Sequence, residues 1–584
     1  MPTAPFPHAR VQSMRRFLRC GLVLAALIVS TSVQAAIPST ERQALLDLYN
    51  GTQGTSAFGT GWVNSDGWGG AAGTECTWAN VFCDDAQEHV VSISLDLYNL
   101  VGSLPASLNQ LTQMTSFSVV ENFLSGPVPA LSGMTNLQSF SVGRNQLTGN
   151  IPSLSGLASL QNVFFGFNQL SGPIPSLAGL TNFNWFDAVD NQLTGSIPSL
   201  AGLTNLQAFL VTNNQLTGSL PDISDQTGLE IDADNNLLNG NLPASTQLAH
   251  LSALFVESNQ FSGRIPELAG ITSLTNFDVA RNQLSGPMPA LSGMTNLQNI
   301  YFASNQLSGA IPALTGLTGL SNLRTFVADH NQLSGSLPEL TGLSNLSSIY
   351  LDHNQLTGHI PPLTDLTFLM TLTLDHNQLS GSIPSLGGLP WLGTFNVNDN
   401  RLHGAAPALP SPTTLEPYGS GALCPNYLDK VVSTDWDSIT QLTPWYQACS
   451  AQPAQPAQAL TLSPQSFVVT APAGGNVTTT LTIGNAGTAN LHWSLAAAGS
   501  DCATPGNVDW ILSVPPSSGT TVADAGSPVA LMFNAGALAR GAYSASICVT
   551  SDDPAQPVVG IPVNFTVEES VDTIFTGNFD GITP

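Results

Sequence analysis

The string Asn-Gln-Leu-(Ser/Thr)-Gly-x-(Ile/Leu)-Pro recurs almost verbatim through the chain, and a repeat of this kind limits the architecture more than any other feature. Its first Asn stands at 122, 145, 168, 191, 214, 236, 259, 282, 305, 331, 354, 377 and 400. The spacing is 23 residues, apart from 22 before Asn236 and 26 before Asn331, where Leu317-Thr318-Gly319-Leu320 reads as a small insertion. A degenerate first copy carries Tyr98 in the Asn slot with Gly102 and Pro105 in register, which makes fourteen. A unit this short cannot bury an apolar face alone. Stacked copies can, so the expected fold is a solenoid.

Each slot has a physical reason. Leu206, Phe209 and Val211 show the one-face alternation of a short strand, and the pattern recurs in every copy. Parallel strands stacked at about 4.8 Å would form one sheet roughly 65 Å long. Asn214 falls where the chain turns away, and its amide offers two donors and an acceptor to its own turn and the adjacent one. Gly218 suits a turn with unusual dihedrals, and Pro221 fixes an extended segment before a Leu-x-Gly-Leu return on the convex side.

The unit LxxLxLxxNxLxGxIP, as in Leu206 to Pro221, resembles the plant-specific class of leucine-rich repeat found in receptor-kinase ectodomains and polygalacturonase-inhibiting proteins. The resemblance covers about residues 38–450, with a period one residue shorter than that class prefers, and looks like that of a secreted bacterial relative rather than a receptor. It implies an α/β leucine-rich-repeat solenoid with a parallel β-sheet on the concave face, followed here by an all-β sandwich. Thr40 to Gln43 form a capping-box pattern ahead of a helix over 44–49. Trp62 and the Cys76-Thr77-Trp78-Ala79-Asn80-Val81-Phe82-Cys83 segment are similar to the family's N-terminal cap, with Asn80 in place of its Gly.

The expected organisation is an export signal over 1–35, an N-terminal cap over 36–90, fourteen repeats over 91–410, a C-terminal cap over 411–450, a Pro-rich linker over 451–459, a sandwich over 460–568 and a tail over 569–584. Arg10, Arg15, Arg16 and Arg19 precede the apolar run over 21–29, and Val33-Gln34-Ala35 supplies small residues for cleavage. Alternating segments such as 478–483 and 545–549 argue for a sandwich. Leu462-Ser463-Pro464, Leu491-His492-Trp493-Ser494 and Ser551-Asp552-Asp553-Pro554 resemble Ig-like modules of bacterial exported proteins.

Charge narrows the function. Lys+Arg number 12 against Asp+Glu 38, net -26, and losing four arginines with the export segment makes it -30. Nucleic acid and anionic membranes need clustered cations, so both are excluded as partners, and no later run is long enough to span a bilayer. After export, Cys76, Cys83, Cys424, Cys449, Cys502 and Cys548 fall into three local couples, so 76–83, 424–449 and 502–548 are the economical disulfides. There is no HExxH, GxSxG, P-loop or CxxC, and no enzyme activity, cofactor or metal is expected. Asp232-Ala233-Asp234-Asn235-Asn236 begins like a calcium loop, but Leu237 and Pro243 occupy its Gly and Glu slots.

The remaining candidate is the solvent side of the strands. Counting back from each ladder Asn, positions -6, -4, -2 and -1 should face solvent. They hold Glu121, Phe164, Phe167, Trp185, Asp187, Asp190, Glu230, Asp232, Asp234, Phe255, Glu257, Asp278, Tyr301 and Tyr350, the expected partner-binding residues. Aromatic anchors carry interface energy and acids steer cationic partners, so the expected partner is an extracellular protein. The alternative is a glycan or cell surface, with Phe164, Phe167, Trp185, Tyr301 and Tyr350 stacking on sugar rings. Asp329-His330, Asp352-His353 and Asp375-His376 repeat in the same two slots, a column of nitrogen and oxygen donors whose spacing matches no recognised metal motif.

Overall fold

The computed structural model describes residues 37–568 apart from 57–58, 315–319, 412, 416–419, 450–456, 500–501, 503–507, 514–516, 524 and 537. The export segment, most of the insertion at 317–320, most of the linker and the tail therefore lie outside the described residues.

Apolar residues at one slot of every copy turn inward and stack. Phe117, Phe140, Val163, Phe186, Phe209, Ile231, Leu254, Phe277 and Ile300 are all fully buried or nearly so. Their strands pair in parallel without stagger, so that Val163, Phe186, Phe209 and Ile231 lie opposite one another in turn. Like stacks on like, and Phe117–Phe140 and Phe186–Phe209 rings lie 5.5 and 5.0 Å apart. The result is a sheet of sixteen described strands, which begins with the antiparallel pair Val81–Cys83 and Val90–Ser94 and runs to Gly421–Ala422. Register shifts at Phe82/Cys83 in the first pair and again at Leu229/Glu230, in the copy whose spacing is 22.

The asparagines join copies as expected. Asn214 Nδ2 donates to the carbonyls of Ala188, Val211 and Thr212 at 2.9, 3.1 and 3.2 Å, while its Oδ1 accepts from the Leu193 amide at 2.9 Å. The same set recurs up to Asn400, and Asn426, inside the expected C-terminal cap, donates to the Val397 and Leu423 carbonyls and accepts from the Leu402 amide. Tyr98 fills the slot in the first copy, where its amide donates to Asn122 Oδ1.

The outer side differs from expectation. The Gln-Leu-(Ser/Thr)-Gly segments form a second parallel sheet, twelve described strands from Val101–Gly102 to Gln355–Thr357, with Gln192–Ser196 pairing Gln215–Gly218. The glycine permits it: Gly195 has φ 78°, a left-handed conformation most side chains resist. The convex return is built of turns, and the described helices among the repeats are a 3-10 turn at Ala106–Gln110 and the short α-helix Ser245–Leu248. There Asn182 and Asn205 donate to the carbonyls of Ala158 and Thr181, one copy back, at 3.0 and 2.8 Å.

Both ends of the core are covered. Helix α1 (Ser39–Gly51) places Leu45 and Leu48 against the first copy. It starts one residue before Thr40, so the expected capping box is not made. Pro38 is the N-cap and has no hydroxyl, while Gln43 bonds Asp47 instead. Glu41, 2% exposed, bonds His89 at 2.7 Å, and Arg42 pairs with Glu75. Beside the Cys76–Cys83 disulfide, Trp62 packs edge to face on Trp68, which lies tilted at 45° against Trp78. At the far end, beside the Cys424–Cys449 disulfide, Trp436 and Trp445 are buried, their indoles donating to the Pro407 and Val431 carbonyls at 2.8 Å.

Past the linker, nine strands form two sheets over one core that includes Leu481, Trp493, Phe533, Val549 and Phe565, with Cys502 bonded to Cys548. The first of these strands, Leu460–Ser463, lies against Gln332–Ser336 of the second sheet.

Candidate functional site

Exact register turns the outward slots of the concave sheet into straight columns. One column runs Phe164, Asp187, Leu210, Asp232, Phe255, Asp278, Tyr301, Val327 and Tyr350. The neighbouring column includes Asn162, Trp185, Ala208 and Glu230. Acids therefore occupy the middle copies, with Phe164 and Trp185 on one side and Tyr301 and Tyr350 on the other. The two rings Phe164 and Trp185 lie 6.4 Å apart.

Burial sorts the expected site residues. Glu121 and Phe167 are exposed; Phe164, Trp185, Asp187, Asp190, Glu230, Asp232, Asp234, Phe255, Glu257, Tyr301 and Tyr350 are half-buried. Asp278 departs from expectation at 8% exposed. Its column neighbours are the large rings of Phe255 and Tyr301, and the Ala280 amide donates to its carboxylate at 3.0 Å.

Gathering acids in a concavity makes each harder to ionise. Loss of water lifts Asp234 from its ordinary 3.8 to about 9, with Asp232 and Asp278 adding repulsion. Asp278 is lifted to about 7, first by burial and then by Glu257. Burial also raises Asp187, Glu230 and Asp232. Thr212 donates to Asp232, and the Glu257 amide donates to Asp234 at 2.5 Å. Slot counting missed such supports, among them Asn299, which donates to Asn276 at 2.7 Å beside Tyr301. Their signal was the same slots, filled by plain polar residues.

At the rim, the residue before each ladder Asn is left-handed. Glu121, Phe167, Asp190, Arg281 and His353 have φ of 56, 57, 51, 52 and 53°. Such a backbone favours glycine or asparagine, yet charged and aromatic side chains predominate here. Arg144 stands over the Phe167 ring at 4.3 Å and lies 3.5 Å from Glu121, while Arg281 lies 3.2 Å from Glu257.

The Asp/His column continues this rim. Its imidazoles stack at 4.2 and 4.1 Å, and each Nδ1 lies 2.9 to 3.0 Å from the carboxylate of the preceding aspartate.

Known proteins offer parallels to this arrangement. The family model for Leucine Rich Repeat matches residues 345–365. The chain is 28% identical over 129 residues to receptor-like protein 3 of Arabidopsis thaliana, covering 22% of this chain and 16% of that one. Among solved structures, the ectodomain of the receptor kinase GASSHO1/SCHENGEN3 from Arabidopsis thaliana, in complex with CASPARIAN STRIP INTEGRITY FACTOR 2, is 27% identical with TM-score 0.52, covering 69% of this chain and 55% of that one. A TDR receptor is also 27% identical, with TM-score 0.53, covering 60% of this chain and 67% of that one. The chain thus spans a small part of that curated relative and about half of the first receptor structure. Its solenoid is of the leucine-rich-repeat kind and resembles plant receptor-kinase ectodomains. Among the described residues, no helix is long and apolar enough to cross a membrane.

Proposed function

We propose that this leucine-rich-repeat chain is exported and binds an extracellular protein or peptide on its concave face, with no catalytic step. The observation that carries this reading is the cluster of acids Asp187, Glu230, Asp232, Asp234 and Asp278 on one sheet, interspersed with Leu210 and Phe255 and flanked by Phe164 and Trp185 on one side and Tyr301 and Tyr350 on the other. Several of those carboxyls hold protons against their ordinary tendency, and a cationic side chain entering the concavity would relieve that cost. Phe164, Trp185, Tyr301 and Tyr350 would supply the apolar anchors, and Glu121, Phe167, Asp190, Phe255 and Glu257 the rim. The receptor ectodomain resolved with its factor supports the reading as analogy of fold.

The export signal over 1–35 and a bacterial origin belong to the same proposal, as does the reading of 460–568 as an Ig-like spacer or attachment module. Half-buried aromatic rings also suit a glycan, and salt separates the two. Steering by acids weakens as ionic strength rises, whereas stacking on neutral sugars does not.

The test immobilises residues 36–584 and captures partners from extracellular protein and glycan mixtures, beside a variant with Trp185, Asp187, Asp232 and Tyr301 changed to Ala. Capture lost in the variant supports the concave site. Capture that survives moves the site to the second sheet or the C-terminal sandwich and ends the proposal.

A further inference from the structure

We propose that His330, Asp352 and His353 bind a divalent transition-metal ion of the zinc class. The three donors come from two neighbouring copies, and their separation is set by strand pairing. Asp352 Oδ2 lies 3.0 Å from His353 Nδ1 and 3.7 Å from His330 Nδ1. Bonds of about 2.1 Å at ordinary coordination angles place ligand atoms roughly 3.0–3.5 Å apart; the Asp352–His353 edge is already at that spacing, and all three donor atoms lie within 4.8 Å of one another. Two imidazoles and one carboxylate form a donor set that zinc and its first-row neighbours accept.

Support around the triad is already in place. Asp352 is held through its other oxygen by the Thr373 hydroxyl at 2.8 Å, which fixes the ligand as second-sphere partners do in metal sites. His330 and His353 stack at 4.2 Å with only 12° between their planes, which gathers both rings on one side of the column; one ring must turn about its side-chain bonds for the two in-plane lone pairs to converge on an ion. Both side chains are more than 40% exposed, which leaves room for entry and for water to complete the coordination. Repeat duplication explains why three Asp-His pairs exist. Stacking them in register then sets His330 beside two carboxylates, its own Asp329 and the next copy's Asp352.

A second triad, His353, Asp375 and His376, shares His353 with the first. In it His376 Nδ1 lies 2.9 Å from Asp375 Oδ2, while its Nε2 lies 3.5 Å from Asp399. Sharing limits the column to one tightly held ion, and the first triad, whose carboxylate lies within 3.7 Å of both its imidazoles, is assigned it.

The experiment is calorimetric titration of the full-length chain with ZnCl₂, with Co²⁺ absorption as an independent readout of nitrogen ligation. Expected are one ion per chain, a rise in melting temperature and a visible Co²⁺ band that fades as pH falls towards 5, since metal competes with protons for imidazole. His330→Ala, His353→Ala and Asp352→Asn should each weaken binding at least about tenfold, and His376→Ala should change it by less than about twofold. Melting without metal establishes that each variant is folded. Absence of binding, equal binding by every variant, or dependence on His376 but not His330 would overturn the assignment. The result does not bear on the concave partner, whose capture is read with metal chelated.

Discussion

At the residue scale, two adjacent asparagines show how position outweighs identity. Asn214 is buried and makes four bonds, two of them to the preceding copy, whereas Asn213 is exposed, left-handed at φ 55° and bonded only to Asp190 among the described side chains. Asn214→Ala strands buried amide and carbonyl groups and should cost roughly 3 kcal/mol in denaturant unfolding, while Asn213→Ala should cost about 1 kcal/mol or less. The acids make a second prediction. A carboxyl that ionises later in the folded chain keeps a proton the unfolded chain has lost, so stability falls as pH rises between its ordinary value near 3.8 and its folded value, about 9 for Asp234 and about 7 for Asp278. His89, raised by its bond to Glu41, acts with the same sign. Melting temperature should therefore fall from pH 5 to pH 9, and Asp234→Asn should flatten that slope; a rising curve would contradict the assignment. If a cationic partner uses this face, its affinity should increase over the same range, because binding expels protons.

At the element scale, the repeat is a compromise between packing and backbone freedom. Gly195 lies at φ 78° in the second sheet, and an added Cβ would meet Pro173 Cβ at an ordinary 3.6 Å. Its alanine variant should lose about 1 kcal/mol from strain alone, measured by unfolding. Gly166 presents the opposite case, with no left-handed φ but with an added Cβ 2.6 Å from Asp187 Oδ1. Gly166→Ala should shift that carboxylate and reduce partner capture while melting changes little. Element existence was readable because strand and ladder slots recur with one period. The second sheet was not, because Gln-Leu-Ser-Gly is too short to show alternation, and its pairing depends on a neighbour 23 residues away. Asn426 escaped notice for a related reason: Asn-Tyr-Leu lacks the rest of the motif, yet the geometry of the last copy leaves the same carbonyls to satisfy.

At the scale of the whole molecule, a solenoid is as sound as its ends. Trp436 is 1% exposed, donates to Pro407 and packs 6.3 Å from Phe395 of the last inward strand. Trp436→Ala should cost about 3–5 kcal/mol. Hydrogen exchange should show opening that begins near the last copies, around 377–404, and leaves those near Phe117 protected. Uniform loss along the chain would mean that the copies unfold as one unit.

The sequence by itself determined the periodic part of this protein: the number of copies, the inward column, the ladder and the set of side chains on the concave face. Those features are local, since a residue's slot within one copy decides which way it points. Tertiary structure decided what depends on neighbours between copies. It buried Asp278 between Phe255 and Tyr301, crowded Asp232, Asp234 and Asp278 so that each is harder to ionise, and set His330 and His353 around Asp352. Burial and electrostatic repulsion act through space, and the chain acquires them only when successive copies stack in register.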